Sequence, residues 1–505
     1  MNNKQSLYKN TFANLLIPFL PLLIGFLLMP FIIDKIGATA FGFWVLSSSI
    51  VGYSGLLDLG LSQTTIKKVS EFLAIQDIKG LNNSCSQIFS LYIIIGIIVV
   101  LIFFLIGKFT LTSWFQIPAY LDNEVRITFY IIGINAGFCF LSKFWEGTVI
   151  GIQNFVFRTK IMYIGTFLQL IFTLIFLSYG FGLIALASIN LAIEVFKFLA
   201  YYIFVRNNLK DLKISVSFHN FSEIIPLLSL SLQFFILQAC FLVLWQTDRI
   251  VIGIFLPIAL LTVYEVALQI NNAIRSIVAS LQGAVFPLVS ELDSLGKTEY
   301  IKEIVLIGTK YVFIILFLLA VPAIILSKQI ITLWVGTQYL YAATILLVLL
   351  IGQVFNALNF ITVQVFQGMG RLKVLSVVRI ISAALNLILS IIFVQTLGLI
   401  GVALGTALQF ALTDIPLLIY LIKSLNISVK NYFKESIFPP TLYAAISGFL
   451  LFVCITELQK ISFNPLFLII LGGFLYLISY LSLIFIFNLK EEERKELFKL
   501  IKPKI

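Results

Sequence analysis

The stretch LYIIIGIIVVLIFFLI, from Leu91 to Ile106, decides the fold class. It carries no charge and no alternation of polar with apolar positions, so it does not read as a membrane-barrel strand, which runs about 10 residues with every second side chain facing a polar lumen. Apolar runs of about 20 residues, the length that crosses a hydrocarbon core as a helix, recur along the whole chain. The 505 residues are 60% AVILMFWYC and 11% charged, with 49 Phe, against roughly 45–50% apolar and 25% charged in a soluble domain. The expected fold class is an all-α polytopic membrane protein.

Apolar windows between charged or turn-rich breaks give fourteen transmembrane helices. Six lie near residues 11–33, 41–64, 86–107, 127–150, 161–179 and 183–205. Six more lie near 226–250, 258–286, 305–326, 342–366, 375–396 and 398–422, and two near 437–457 and 465–488. The expected domains are an amino-terminal lobe, 1–205, a carboxyl-terminal lobe, 206–422, and the last two helices with a charged tail, 423–505. Lys4 and Lys9 ahead of the first run superficially suggest a signal peptide. The run exceeds the roughly 7–15 residues of a cleavable segment and has no A-x-A-like site before Asp34, so it reads as a retained first helix.

Most of the 34 Lys and Arg residues fall in connections on one side of the membrane if the amino terminus is inside. Basic residues in short loops mark the cytoplasmic side, so both termini are expected in the cytoplasm and the protein in the inner (plasma) membrane. This bias explains the net charge of +11 and leaves no call for a nucleic-acid partner. Cys85, Cys139, Cys240 and Cys454 form no CxxC pair, and His219 is the only histidine. A zinc site needs about four such ligands at short spacing, so neither a metal nor another cofactor is expected.

The chain repeats itself. At an offset of 220, Val69-Ser70-Glu71 lies over Val289-Ser290-Glu291; near 217, Gly151 ahead of Arg158 and Lys160 lies over Gly368 ahead of Arg371 and Lys373. Gly182-Leu-Ile-Ala likewise lies near Gly398-Leu-Ile-Gly. Two six-helix lobes of the same orientation follow, related by a pseudo-twofold along the membrane normal, with a substrate site expected between them near the midplane.

With that repeat in view, three segments carry a resemblance: Gly55-Leu-Leu-Asp58-Leu-Gly60-Leu, Gln246-Thr-Asp248-Arg249-Ile-Val-Ile-Gly253, and Phe286-Pro287-Leu-Val-Ser-Glu291. The chain resembles the polysaccharide transporter (Wzx-like, O-antigen/oligosaccharide flippase) branch of the multidrug/oligosaccharidyl-lipid/polysaccharide (MOP) flippase superfamily over nearly its whole length. The resemblance implies a V-shaped, MATE-like transporter with two further carboxyl-terminal helices. It would flip an undecaprenyl-diphosphate-linked oligosaccharide outward by alternating access for surface polysaccharide biosynthesis, with H+ or Na+ as coupling ion and a polysaccharide polymerase or assembly complex as partner. Lipid II flippases of the superfamily carry cavity arginines on helices 1, 2 and 8; here only Arg275 on span 8 matches. Many drug exporters of the superfamily have an acid within helix 1, whereas span 1 is uncharged until Asp34. A cation-coupled multidrug (MATE-like) exporter stands as the alternative function.

An ionisable side chain at the centre of a span costs about 2.5–3.5 kcal/mol, so each one is a candidate for a wet cavity or a partner. Span 4 holds Lys143 and Glu146, and span 6 holds Glu194 and Lys197, both at i, i+3 spacing where helical neighbours touch,. They read either as self-neutralised pairs or as cavity groups. Span 8 is the most polar helix: Glu265, Gln269, Asn272 and Ser276 share one narrow face, flanked by Asn271, Arg275 and Gln282,. Such a stripe suits sugar hydroxyls, and the Arg275 fork suits a diphosphate; helix packing through amides is the competing reading. Arg249, Lys143 and Lys197 join Arg275, Asn272 and Gln269 as candidate substrate-binding residues. Glu194, Glu265, Asp414 and Asp58 are the candidate ion carriers. Asp414 precedes Pro416 and lacks a local base, and Asp58 has a second reading as the cap of a bend set by Gly52, Gly55 and Gly60.

A membrane polymerase or ligase acting on lipid-linked glycans is the rival class. The longest outer loop, about Lys108 to Arg126, offers only Asp122 and Glu124 as acids and no histidine, and the chain has no GxxxxGK[ST] loop,. The sequence therefore points to a secondary transporter rather than an enzyme.

Overall fold

The computed structural model describes residues 19–109, 111–115, 117–216, 239–280, 282, 285–460, 463–489, 491, 493 and 494. The start of the first expected span with Lys4 and Lys9, most of the seventh span up to residue 238, His219 and most of the charged tail lie outside the described residues. Among the described residues nearly everything is helical, and no strand occurs. The helices longer than eight residues are, in chain order, α1 Phe19–Ser54, α2 Leu61–Ala74, α3 Ile78–Phe109, α4 Asp122–Gly151, α5 Phe155–Ser178 and α6 Gly182–Asn208. They continue with α7 over residues 239–255, α8 Ala259–Ala279, α9 Val285–Ser294, α10 Thr298–Ile325, α11 Tyr341–Gly368 and α12 Leu372–Leu397. The last three are α13 Leu399–Ser424, α14 Phe438–Gln459 and α15 Pro465–Leu483.

Among the described residues, eleven helical segments are long and apolar enough to cross a membrane. The first covers two of the expected spans, because the helical path of α1 breaks at Gly37, whose φ of 80° and ψ of 164° suit glycine alone,. α8, under the span expected at 258–286, is not among the eleven. Its Glu265, Gln269, Asn271, Asn272 and Arg275 dilute an otherwise apolar helix.

The chain forms two compact units that divide between Thr262 and Val263. In the amino-terminal unit α4 packs on α3 and α6. The α3–α4 crossing is close because Gly96 meets Gly137; a Cβ on Gly137 would stand 2.8 Å from the Gly96 carbonyl oxygen. In the carboxyl-terminal unit α13 packs on both α11 and α12, and α14 and α15 pack on α10. Here Gly352 lies against Ala407, so that both units use small residues to bring helices together where no hydrophobic effect drives them. The Tyr476 hydroxyl donates to the Phe317 carbonyl at 2.9 Å and ties α15 to α10.

The internal repeat is visible at the level of single hydrogen bonds. At the end of α2, Ile75 N donates to Glu71 O, Gln76 N to Leu73 O and Asp77 N to Phe72 O. At the end of α9, Leu295 N donates to Glu291 O, Gly296 N to Asp293 O and Lys297 N to Leu292 O, each 220 residues on. The end of α4 uses Ile152 N to Thr148 O, Gln153 N to Ile150 O and Asn154 N to Val149 O. The end of α11 repeats that set 217 residues on, through Met369, Gly370 and Arg371. All four are Schellman endings, which need one left-handed residue; Gln76, Gly296, Gln153 and Gly370 supply it, with φ of 56°, 67°, 64° and 67°. The repeated residues also pack alike. Gly151 lies on Val69 and Gly368 on Val289, where an added Cβ would come within 2.7 Å.

Candidate functional site: membrane-embedded charges

In the amino-terminal unit six charged side chains gather between α2, α3, α4, α5 and α6. Asp58 is buried in a 3-10 turn before α2; its carboxylate accepts from the Tyr92 hydroxyl at 3.0 Å and from Ser62 N at 3.3 Å. The Ser62 bond ties Asp58 to the first turn of α2, and Lys143 Nζ stands 4.0 Å from Asp58 Oδ1 as a further partner. The same ammonium lies 5.0 Å over the Phe140 ring. Glu146 takes a 2.6 Å bond from Arg158 Nε of α5. The pairing of Lys143 with Glu146 that their spacing allows is thus overturned, because each finds a closer partner on another element. Glu194 and Lys197 do pair within α6, at 3.2 Å. Cys139 sits against Glu194 with Lys197 and Lys143 in electrostatic reach, and buried Tyr201 feels Glu146, Arg158 and Glu194. Asp58, Glu146 and Glu194 balance Lys143, Arg158 and Lys197, so this cluster is neutral without a ligand. On the same helices Phe198 stacks on Tyr202 and Trp145 meets both edge-on, with centroid separations of 5.0–6.5 Å.

Arg249 on α7 is half-buried and donates to Trp245 O at 3.2 Å and Gln246 Oε1 at 3.0 Å, a clamp within its own helix. Between α3 and α4 Asp122 pairs with Arg126 at 3.1 Å. Glu124 accepts from Leu183 N at 2.8 Å and so holds the start of α6 to α4. Both acids thus serve helix ends.

The carboxyl-terminal unit is arranged differently. Asp414 on α13 is fully buried, and its two oxygens accept from Asn356 Nδ2 at 3.1 Å and Asn359 Nδ2 at 2.9 Å, both on α11. Thr413 adds a contact at 3.3 Å, and Gln409 donates to that threonine at 3.0 Å. Among the described residues this carboxylate has no base within 4 Å and is held by amides, which the isolated sequence position did not reveal. On α8 the expected polar stripe is the half-buried side: Glu265, Gln269, Asn272 and Arg275 are partly accessible. The buried Oδ1 atoms of Asn271 and Asn272 receive no hydrogen bond among the described residues. Gln282 accepts from Gln364 of α11 at 3.2 Å, so the flank of the stripe does serve packing. Sequence reasoning did not single out Arg379; it lies inside α12, and its charge acts on both Arg275 and Asp414.

Residues 7–293 match the family described as polysaccharide biosynthesis protein. The chain belongs to that family. Residues 234–392 also match the MatE family. A Shigella flexneri protein named as an O-antigen transporter is 23% identical over 414 residues, covering 81% of this chain and 96% of its own. A Haloferax volcanii protein named as a low-salt glycan biosynthesis flippase is 24% identical, over 50% of this chain and 53% of its own. The lipid II flippase MurJ in an inward closed conformation shares the fold with a TM-score of 0.72 at 15% identity, over 95% of this chain and 98% of that one. An inward-facing multidrug resistance MATE transporter shares it at 0.66 and 17%, over 82% and 95%. This member of the polysaccharide biosynthesis family is therefore a multi-pass protein of the MOP superfamily.

Proposed function

We propose that the protein is a flippase for lipid-linked glycans that moves an undecaprenyl-diphosphate-linked oligosaccharide from the inner to the outer leaflet by ion-coupled alternating access. The observation that carries this reading is the polar stripe of α8, in which Arg275 follows Asn271 and Asn272 by one helical turn and Gln269 precedes them. Amide oxygens lacking donors suit sugar hydroxyls, and a guanidinium suits a diphosphate. The relatives named for O-antigen and glycan transport support the same substrate class. The proposed layout has fourteen spans in two six-helix lobes plus two helices, both termini in the cytoplasm, in the plasma membrane. Coupling is assigned to H+ or Na+ through Asp414, Glu194 or Glu265, and a polymerase or assembly complex receives the product.

The test is export per molecule of membrane-inserted protein. Arg275→Ala should abolish glycan export at normal abundance, and Arg275→Lys should keep part of it, because charge survives while bidentate geometry does not. Normal specific export by the Ala variant would remove Arg275 from the site. Cation-driven efflux of drugs in place of glycan export would favour the MATE-like alternative, to which the MatE match over residues 234–392 lends support.

A further inference from the structure

A pocket of about 690 Å³ lies between α5 and α6 and reaches the first turn of α4. Phe172, Phe176 and Phe181 line it, neighbouring rings meeting edge-on at 6.3 and 5.9 Å, together with Ile184, Ser188 and Ala192 of α6. All six are exposed. Both α5 and α6 are long and apolar enough to cross a membrane, and apolar side chains exposed at that level suit hydrocarbon rather than water. Ala192 is ten residues beyond Gly182, so at 1.5 Å per residue the pocket runs about 15 Å along α6, half of a hydrocarbon core of about 30 Å. It is one leaflet deep, the room that a single acyl chain occupies.

The charged group that lines the pocket among the described residues is Glu124. It stands two residues into α4, at the helix ends and hence at headgroup level. Its Oε1 accepts from Leu183 N at 2.8 Å. Gly182 makes room for that oxygen, which a Cβ there would overlap. Its Oε2 takes no hydrogen bond and no ion pair among the described residues. Arg126, the nearest base along the chain, is engaged with Asp122 and the Gly107 carbonyl. A carboxylate with one spare oxygen attracts an ammonium and repels a phosphate that carries net charge. It also needs an N–H to accept from, which a primary ammonium has and a quaternary one lacks.

We propose that this pocket is a lipid site selective for a phospholipid with a primary ammonium headgroup, its ammonium on Glu124 Oε2 and one acyl chain in the slot between α5 and α6. The assignment requires only that these helices span the bilayer and is independent of the transported substrate.

The experiment places the purified full chain in phosphatidylcholine vesicles with a trace of phosphatidylethanolamine or phosphatidylglycerol that bears a photoreactive diazirine on one acyl chain. The label is mapped after irradiation, with α3 as the internal reference. Phosphatidylethanolamine should label residues 172–192 roughly tenfold more than phosphatidylglycerol, the worth of one charge-assisted hydrogen bond. Glu124→Gln, whose side-chain oxygen can still accept from Leu183 N, should bring the two lipids level. Ser188→Trp, which fills the slot from an exposed position, should lower labelling of this segment by either lipid. Competition on the native protein needs no variant: unlabelled phosphatidylethanolamine should displace the label and phosphatidylglycerol should not. Equal labelling by the two lipids, a preference that survives in Glu124→Gln, or labelling undiminished in Ser188→Trp overturns the proposal. The soluble apolar cation tetraphenylphosphonium should leave the label in place; its removal of the label would make the pocket a site for free cations and overturn the assignment to a lipid.

Discussion

Asp414 shows how much a single residue's surroundings decide. Its two carboxylate oxygens each hold one buried amide donor, so removing the side chain strands two N–H groups, at about 1–3 kcal/mol each. Asp414→Ala should therefore lower membrane abundance several-fold. Asp414→Asn keeps size and one acceptor and should leave abundance within twofold of native. If Asp414 carries the coupling ion, the Asn variant should nonetheless lose ion-driven export in proteoliposomes by tenfold or more. Native coupling in that variant would move the ion site to Glu194 or Glu265. The sequence marked Asp414 as a membrane-level acid without a base, yet it did not show Asn356 and Asn359, which lie 58 and 55 residues away. Only the α11–α13 packing brings them together.

Within elements, the repeated turns offer a sharper test than any single contact. Gln153 and Gly370 hold the same position in the endings of α4 and α11, both left-handed. A side chain in that conformation costs about 1–2 kcal/mol, and glycine costs roughly 0.5–1 kcal/mol in the unfolded chain. Gly370→Ala should lower the thermal midpoint of the purified protein by an amount worth about 1 kcal/mol. Gln153→Gly should leave it nearly unchanged, since its two effects oppose. A Gly370→Ala protein as stable as the native one would mean that this turn does not need its left-handed residue. The repeat was legible as Val-Ser-Glu and Gly matches because the pairs that pack these ends together, Gly151 on Val69 and Gly368 on Val289, keep their residue types, whereas the left-handed residue is Gln in one copy and Gly in the other. The partners of Lys143 and Glu146 were not legible. Spacing of three places two side chains on one helix face, but Asp58 and Arg158 reach that face from a turn and from a neighbouring helix. Arg379 was not legible because a basic residue near the end of a span reads as a loop charge, and only the α12 register puts it in line with Leu375 and Ser382.

For the whole molecule, the proposed side of the membrane for each end rests on the basic-residue bias, and the fold says which ends must share a side. The basic-residue bias assigns the start of α3 and the end of α6 to the cytoplasm. The fold of the amino-terminal unit gathers those same ends. Asn82 at the start of α3 donates to Asp211 O at 3.1 Å and accepts from Lys213 N at 2.9 Å, and Ser86 Oγ accepts from Ser215 N at 3.1 Å. At the other end Arg126 donates to Gly107 O at 2.9 Å and Glu124 accepts from Leu183 N, joining the end of α3 with the starts of α4 and α6. Lys79, Arg206, Lys210 and Lys213 cluster at the first end, while the second has Lys108 and Arg126. Asn83 and Asn123 are both exposed, one at each end, so a cysteine at either position reports sidedness rather than burial. In a Cys-less background, a membrane-impermeant thiol reagent should label Asn123→Cys in intact cells and reach Asn83→Cys only after permeabilisation. The reverse pattern would invert the protein in the membrane and turn the proposed export into import, whereas labelling at both positions would mean that these helices do not span.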